Sequence, residues 1–285
     1  MEVDPRVKDR LRAIARWTLP PKIEGILIQS YARWLMRGSE QNRELYNRHA
    51  GQARCFVVGN GPSLRTHDIT VLRDEVTIVA NSFYMHPDCA IVSPKYYCVG
   101  DPRFMDDEAV NVAWFREMEK ALPGTVFFVY SRGRALFRKY DLFKNHQVYF
   151  RNAGSPTHRA ADVEVDLTRP LNVGMSTASA FAIPLAIYLG FRRIYLVGCD
   201  ANWLADPWGK GGSHFYEKSK FFPQYDRGVD SAEALEVEIH NDLRDLESHR
   251  LIRDRVRPSG IEIINATSGG WLEMYPRAKF ESLFH

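Results

Sequence analysis

Gly59-Asn60-Gly61-Pro62-Ser63 has the residue types of an anion-binding turn, and it follows a short apolar run at residues 56–58. Glycine lets a ligand approach the backbone closely, and N–H groups left open in such a turn cradle a phosphate. Asn60 adds an uncharged donor and acceptor that does not repel an anion. A plain turn explains the same residues, and neither G-x-G-x-x-G nor G-x-x-x-x-G-K-[ST] occurs here. Comparable polar residues follow other apolar runs: Asn81 after 76–80, Asp101 after 96–99, Asp200 after 194–197, and Asn265-Ala266-Thr267 after 261–264. Gly174-Met175-Ser176-Thr177 opens a helical pattern. A glycine followed by hydroxyl residues suits a helix N-terminus that holds an anion, and Ser176 or Thr177 also suits an ordinary N-cap. His214, between glycines and aromatics, reads as a general base working near neutral pH or as a surface residue. Glu233, Glu236, Glu238 and Asp242 read as a solvated helix face, and His240 and His249 have no partners at metal-ligand spacing.

These residues need a scaffold that gathers them. Further apolar runs lie at 126–130 and 148–150, with helical patterns at 106–122, 176–189 and 231–256. Strands alternating with helices predict an α/β fold with a mainly parallel sheet and helices on both faces. In a parallel sheet the strand-end residues fall on one edge, so Asn60, Asn81, Asp101, Asp200 and Asn265 are expected to converge on one crevice. Residues 201–228 are a long segment without period, placed where a lid belongs. The predicted division is an N-terminal basic helical extension over 1–50 and a nucleotide-binding domain over 51–285 carrying that lid.

The chain of 285 residues is 45% hydrophobic and 26% charged, the composition of a soluble globular protein. A net charge of +3 is too small to imply nucleic-acid binding. No apolar run reaches the ~18 residues that span a bilayer, and no signal peptide is expected. Cys55, Cys89, Cys98 and Cys199 lack metal-type spacing and read as buried thiols in a reducing cytoplasm. Residues 1–38 hold eight bases and four acids, mixed with Trp17, Ile23, Leu27, Tyr31 and Trp34. Pro20-Pro21 breaks this region into two helices. They are expected to pack through Trp17, Ile23, Leu27 and Trp34 on the main domain or on another copy in a homo-oligomer. Lying on an anionic membrane surface is the alternative.

The motifs resemble a known family. Gly59-Asn60-Gly61-Pro62-Ser63-Leu64, Asn81-Ser82-Phe83-Tyr84, Asp101-Pro102 and the stretch from Leu189 to Asp200 look like the bacterial sialyltransferases of glycosyltransferase family 42. The resemblance covers roughly residues 54–267, with gaps in the middle. It implies a single-Rossmann, GT-A-like fold with a small lid, and inverting transfer of a sialic-acid-like sugar from a CMP-linked donor to a glycan hydroxyl without a required metal. It further implies nucleotide contacts from Asn60, Asn81 and Asp101, the last standing where the family has an Asn. Two departures stand out. The family's two phosphate-stabilising tyrosines fall near Asn202 and Trp208 here, and its catalytic histidine aligns with Tyr225. His214 and Tyr216 are chemical substitutes from the same loop.

Asp101-Pro102, Gly174 with its hydroxyl residues, and Asn265-Ala266-Thr267-Ser268-Gly269-Gly270 are similar to a second family with the same core. It contains archaeal 6-hydroxymethylpterin diphosphokinases and bacterial motility accessory factors that glycosylate flagellin. Under the diphosphokinase reading Asp101 and Asp200 hold Mg²⁺ and the glycine turns cradle ATP. No cluster of Lys or Arg for a triphosphate accompanies those turns, Arg65 and Arg103 being the nearest. The expected protein is therefore a cytoplasmic glycosyltransferase, peripheral at the inner membrane face and acting in surface polysaccharide synthesis. Its expected catalytic residues are His214, Tyr216 and Tyr225. Its nucleotide site comprises Gly59, Asn60, Gly61, Ser63, Asn81, Asp101, Gly174, Ser176, Thr177 and Asp200. A non-catalytic nucleotide-binding module is a third reading.

Overall fold

The computed structural model describes residues 36–100, 102–153, 157–173, 177–202, 214–216 and 232–284, together with Ile23, Ile26, Leu27, Ser30, Tyr31, Arg33 and Trp34. Seven strands form one sheet: β1 (Cys55–Val58), β2 (Thr77–Ala80), β3 (Tyr96–Val99), β4 (Val126–Tyr130), β5 (Val148–Arg151), β6 (Arg193–Val197) and β7 (Glu262–Asn265). Every pairing is parallel, in the order β5-β4-β3-β2-β1-β6-β7. The chain winds outward from β1 to β5, then returns to lay β6 against the other side of β1. Strand order therefore reverses between β1 and β6, where open α/β sheets hold their ligands.

Burial explains the strand sequences. Every residue of β1 through β4 is buried, as expected for parallel strands covered on both faces. The edge strands β5 and β7 alternate buried with less buried positions. The α-helices are α1 (Cys89–Val92), α2 (Ala109–Ala121), α3 (Arg134–Lys139), α4 (Ala178–Tyr188) and α5 (Ala232–Val256). Helix α4 lies on β1, β2, β3 and β6 and is itself packed by α5. It buries Ala180, Phe181, Ala182, Ile183, Leu185 and Ala186, so it is apolar around its circumference. Helix α2 buries Trp114, Phe115 and Met118, and Phe115 meets Phe137 of α3 edge-on.

The predicted sheet and the three long helices are present, with ends shifted by at most three residues. Helices α1 and α3 went unpredicted because neither is long enough to display a period. All four cysteines are free and buried. The N-terminal segment departs from expectation. Its described positions from 23 to 34 are helical except where placement is not described, but Ile23, Leu27 and Trp34 are exposed rather than packed on the domain. Tyr31 and Trp34 stack on each other instead. Trp17 lies outside the described residues. Among the described residues no helix is long and apolar enough to cross a membrane.

The turns after β1 and β6 touch backbone to backbone. A Cβ at Gly59 would overlap the Gly198 carbonyl, with the Cys199 sulfur beside it. Gly59→Ala is expected to lower stability by about 2 kcal/mol or more, since backbone cannot yield as a side chain does. Gly51→Ala, whose new methyl meets nothing within 4 Å, should change stability by less than about 0.5 kcal/mol. Urea unfolding of both variants checks the contrast.

Candidate functional site

The crevice is built from the chain segments leaving β1, β2 and β6. The Gly59 N–H donates to the Val197 carbonyl at 2.8 Å, and the Gly61 N–H to the Gly198 carbonyl at 2.8 Å. These two groups, expected to face a phosphate, instead hold the β1 turn to the β6 turn. The missing side chains of Gly59 and Gly61 make room for Gly198 and Asp200. Asn60, between them, is buried. Its Nδ2 donates to the Ala80 carbonyl at 2.9 Å, tying the β1 turn to the end of β2. Its Oδ1 is buried and accepts from no described group. That orientation is fixed by the network, because a flipped amide would set two carbonyl oxygens against each other. Asn60 therefore keeps a buried side-chain acceptor without a partner among the described residues. Its backbone N–H donates to no described group.

Asn81 sits at the end of β2 with φ of 49°, a left-handed conformation that asparagine tolerates better than most residues. Its Oδ1 accepts from the Gly100 N–H at 3.0 Å, linking the ends of β2 and β3. The Asn81 Nδ2 donates to no described group and remains a neutral donor at the same edge.

Asp200 is buried and doubly bound by Ser63, whose Oγ donates to Oδ2 at 2.8 Å and whose N–H donates to Oδ1 at 3.3 Å. Burial pushes its carboxyl above the usual range, against the pull of those bonds. A carboxylate so engaged is a brace between turns and does not fit the role of an open Mg²⁺ ligand. Asp101, its expected partner in that role, lies outside the described residues. Among the described residues no three His, Cys, Asp or Glu side chains converge on a metal position.

Of the segment expected to form a lid, residues 214–216 are described, and they lie on the β1 turn. The Phe215 N–H donates to the Asn60 carbonyl at 2.9 Å. Arg65 donates to the carbonyls of His214 at 2.9 Å and Phe215 at 3.1 Å. Arg65, a candidate for phosphate, instead holds the segment 214–216. The half-buried rings of His214 and Tyr216 lie 5.0 Å apart, and Phe215 packs edge-on against His86. His214 and Tyr216 are thus brought beside Asn60, whereas Tyr225, Gly174 and Ser176 lie outside the described residues.

Thr177 caps α4, with Oγ1 accepting from the Ala180 N–H at 3.4 Å and donating to Asp245 Oδ1 at 2.5 Å. Asp245 belongs to a buried network absent from the expected site. His249 Nε2 meets Ser179 Oγ at 3.1 Å, and its Nδ1 meets the Tyr275 hydroxyl at 3.0 Å. Burial pushes Asp245 up to about 7, with Asp242 adding repulsion, and holds His249 down to about 4. Asp242 is itself buried, which corrects its assignment to a solvated face, while Glu236 is exposed. The spacing of Asp242, Asp245 and His249 at i, i+3 and i+7 marks one helix stripe, a signal the sequence did contain. Asn265 is also corrected. It is fully buried, with Nδ2 on the Leu272 carbonyl and Oδ1 on the Thr267 N–H, so it shapes its own turn.

The two buried groups have opposite pH signs. The raised Asp245 pKa stabilises the fold fully below pH 3.8, and that contribution is lost as pH rises toward 7. The lowered His249 pKa gives stability present above 6.5 and lost as pH falls toward 4. Asp245→Asn should leave only the second dependence. Relative to the parent, the variant is expected to gain stability between pH 4 and pH 8, up to about 4 kcal/mol for a shift of this size. Denaturant melts at the two pH values check this, and the pH-independent cost of the new amide cancels in the difference.

The profile of the MptE-like family, described as 6-hydroxymethylpterin diphosphokinase MptE-like, matches residues 34–206. No protein of curated function matches the chain. One similar solved structure is the sialyltransferase CstII from Campylobacter jejuni, in complex with a substrate analogue, cytidine-5'-monophosphate. It is 16% identical with a TM-score of 0.43, over 79% of this chain and 84% of that one.

Proposed function

The chain belongs to the 6-hydroxymethylpterin diphosphokinase MptE-like family, and from that premise we propose that its crevice binds a cytidine nucleotide and that the protein is an inverting glycosyltransferase. The donor is a CMP-linked, sialic-acid-like sugar and the acceptor a glycan hydroxyl. The observation that carries this reading is the set of neutral polar groups left open at the switch-point crevice among the described residues. Asn60 offers an acceptor and a backbone N–H, Asn81 offers an amide donor, and Asp200 is held by Ser63. An uncharged lining suits a nucleotide monophosphate ester, which carries little charge to neutralise. A triphosphate with its metal calls for cations and open carboxylates. The buried Asn60 Oδ1 suits a hydroxyl or amine of the nucleoside, while the Asn60 N–H and Asn81 Nδ2 suit its phosphate.

In this mechanism the acceptor oxygen attacks the anomeric carbon as the bond to the phosphate oxygen breaks. His214 takes the hydroxyl proton, and CMP departs with the electron pair. Neutral donors aimed at the phosphate stabilise its growing charge, and the lid excludes water from the activated sugar. Tyr216 and Tyr225 supply hydroxyls to the same loop, and Asp101, Gly174 and Ser176 complete the nucleotide edge, while Thr177 caps α4. The exposed aromatic and basic residues of the N-terminal segment support a position against an anionic inner membrane face, where surface glycans are assembled. Diphosphokinase activity remains the second reading, favoured by the description of the matched family.

A thermal-shift comparison of CMP, UDP, GDP and ATP, each with and without Mg²⁺, separates the readings, because a ligand that binds only the folded state raises the melting temperature. The expected result is a shift with CMP that does not depend on Mg²⁺. A shift confined to ATP with Mg²⁺ points to the diphosphokinase. Asn60→Ala should weaken CMP binding about 5- to 30-fold, the size of one or two lost hydrogen bonds.

His214→Ala should leave CMP binding nearly unchanged and lower donor turnover by about 100-fold or more. Stopped turnover assays with a CMP-sugar and acceptor check it. Near-normal turnover in this variant, with loss in Tyr225→Phe, moves the base to Tyr225.

A further inference from the structure

On the β7 side of the crevice three residues far apart in the chain form a relay. Ser268 Oγ lies 2.9 Å from His67 Nε2, and His67 Nδ1 lies 2.9 Å from Glu281 Oε1. The imidazole is enclosed, with 2% of its side chain exposed, whereas the Glu281 side chain is 65% exposed. Ser268 is exposed. The His67 ring is fixed by packing on Phe280 at 4.8 Å and by its position just after the helical turn Pro62–Thr66. With Glu281 accepting at Nδ1, the imidazole carries its proton there, and Nε2 is left to accept the serine proton. That is the arrangement that activates a serine hydroxyl.

A second feature stands beside it. Gly269 and Gly270, the residues after the serine, both have φ of 74°. Their N–H groups donate to no described group, while their carbonyls are gripped by Arg277. A side chain at Gly269 would meet nothing within 4 Å, so the space next to the serine is open. An N–H from the residue after the nucleophile is a recurring half of an oxyanion hole.

We propose that Ser268, His67 and Glu281 form a serine-hydrolase site for small, exposed acyl esters, at the β7 border of the nucleotide crevice. Ser268 Oγ attacks the ester carbonyl carbon as its proton passes to His67 Nε2. The carbonyl π electrons move to oxygen, and the N–H groups of Gly269 and Gly270 receive that oxyanion. Collapse breaks the bond to the alcohol oxygen, which leaves with the proton from His67 and gives an acyl-serine. Water then attacks the same carbon, returning a proton through His67 to Ser268 and releasing the acid. The sum is ester plus water giving acid plus alcohol. Glu281 is a positioning residue that holds the imidazole proton at Nδ1.

The test uses the full-length chain with a fluorophosphonate probe, peptide mass mapping, and hydrolysis of 4-nitrophenyl acetate from pH 5 to 9. Probe mass on Ser268 is expected, with labelling and ester turnover lost in Ser268→Ala at an unchanged melting temperature. Glu281→Gln should slow labelling by about tenfold or more and displace its pH profile, and Glu281→Asp should restore part of the rate. The exposed position of Glu281 keeps these variants informative even where His67→Gln fails to fold. An unlabelled Ser268 in the folded chain overturns the proposal. So does a labelling rate and pH profile unchanged by Glu281→Gln, which leaves the three residues as a clasp between two loops.

Discussion

The crevice depends on close backbone contact between the turns that leave β1, β6 and β7. Gly59 and Gly61 meet Gly198 and Asp200, and Gly270 meets the Asp200 backbone, with no Cβ between them. The N–H groups of Gly59, Gly61 and Trp271 donate to Val197, Gly198 and Asp200 carbonyls across these contacts. Any side chain at these glycines would wedge the turns apart and break those bonds. The same closeness consumes the N–H groups of Gly59 and Gly61, so the polar groups left at the switch point among the described residues are those of Asn60 and Asn81.

That constraint also accounts for the electrostatics. Asp200 enters the floor as a buried charge, which is costly unless paired or hydrogen-bonded. Ser63 supplies both bonds from the turn that Gly61 makes possible. Further back, Thr177 and Asp245 join α4 to α5, and His249 joins Ser179 to Tyr275. Helices α4 and α5 are therefore connected through groups whose charge states respond to pH. Among the described residues, the polar groups left at the crevice are amide and main chain.

The segment 214–216 is joined to this floor through its main chain, by one backbone bond and by the Arg65 guanidinium. Phe215 reads the Asn60 carbonyl, and Arg65 reads the carbonyls of His214 and Phe215. A change in the β1 turn therefore moves the segment that carries His214 and Tyr216. The β1 turn and the segment 214–216 are thus held together through main-chain atoms.

Much of the fold was legible in the sequence. Short apolar runs ending in Gly, Asn or Asp, alternating with helical periods, determine a parallel α/β sheet because buried parallel strands need apolar residues on both faces. The glycine turn, Asn81 and Asp200 were readable as strand-end residues for the same reason. The direction of each hydrogen bond was not. Whether Asn60 offers its oxygen or its nitrogen depends on Ala80, and whether Asp200 is free depends on Ser63. The stripe of Asp242, Asp245 and His249 was present in the helical period, but its burial was set by α4. His67 pairs with Ser268 and Glu281 across 201 and 214 positions, a distance no local pattern encodes. Residue type and spacing determined which elements form and which edge they share. Tertiary packing decided which polar atoms are consumed and which remain, because a hydrogen-bond partner is a matter of position in space and not of order along the chain.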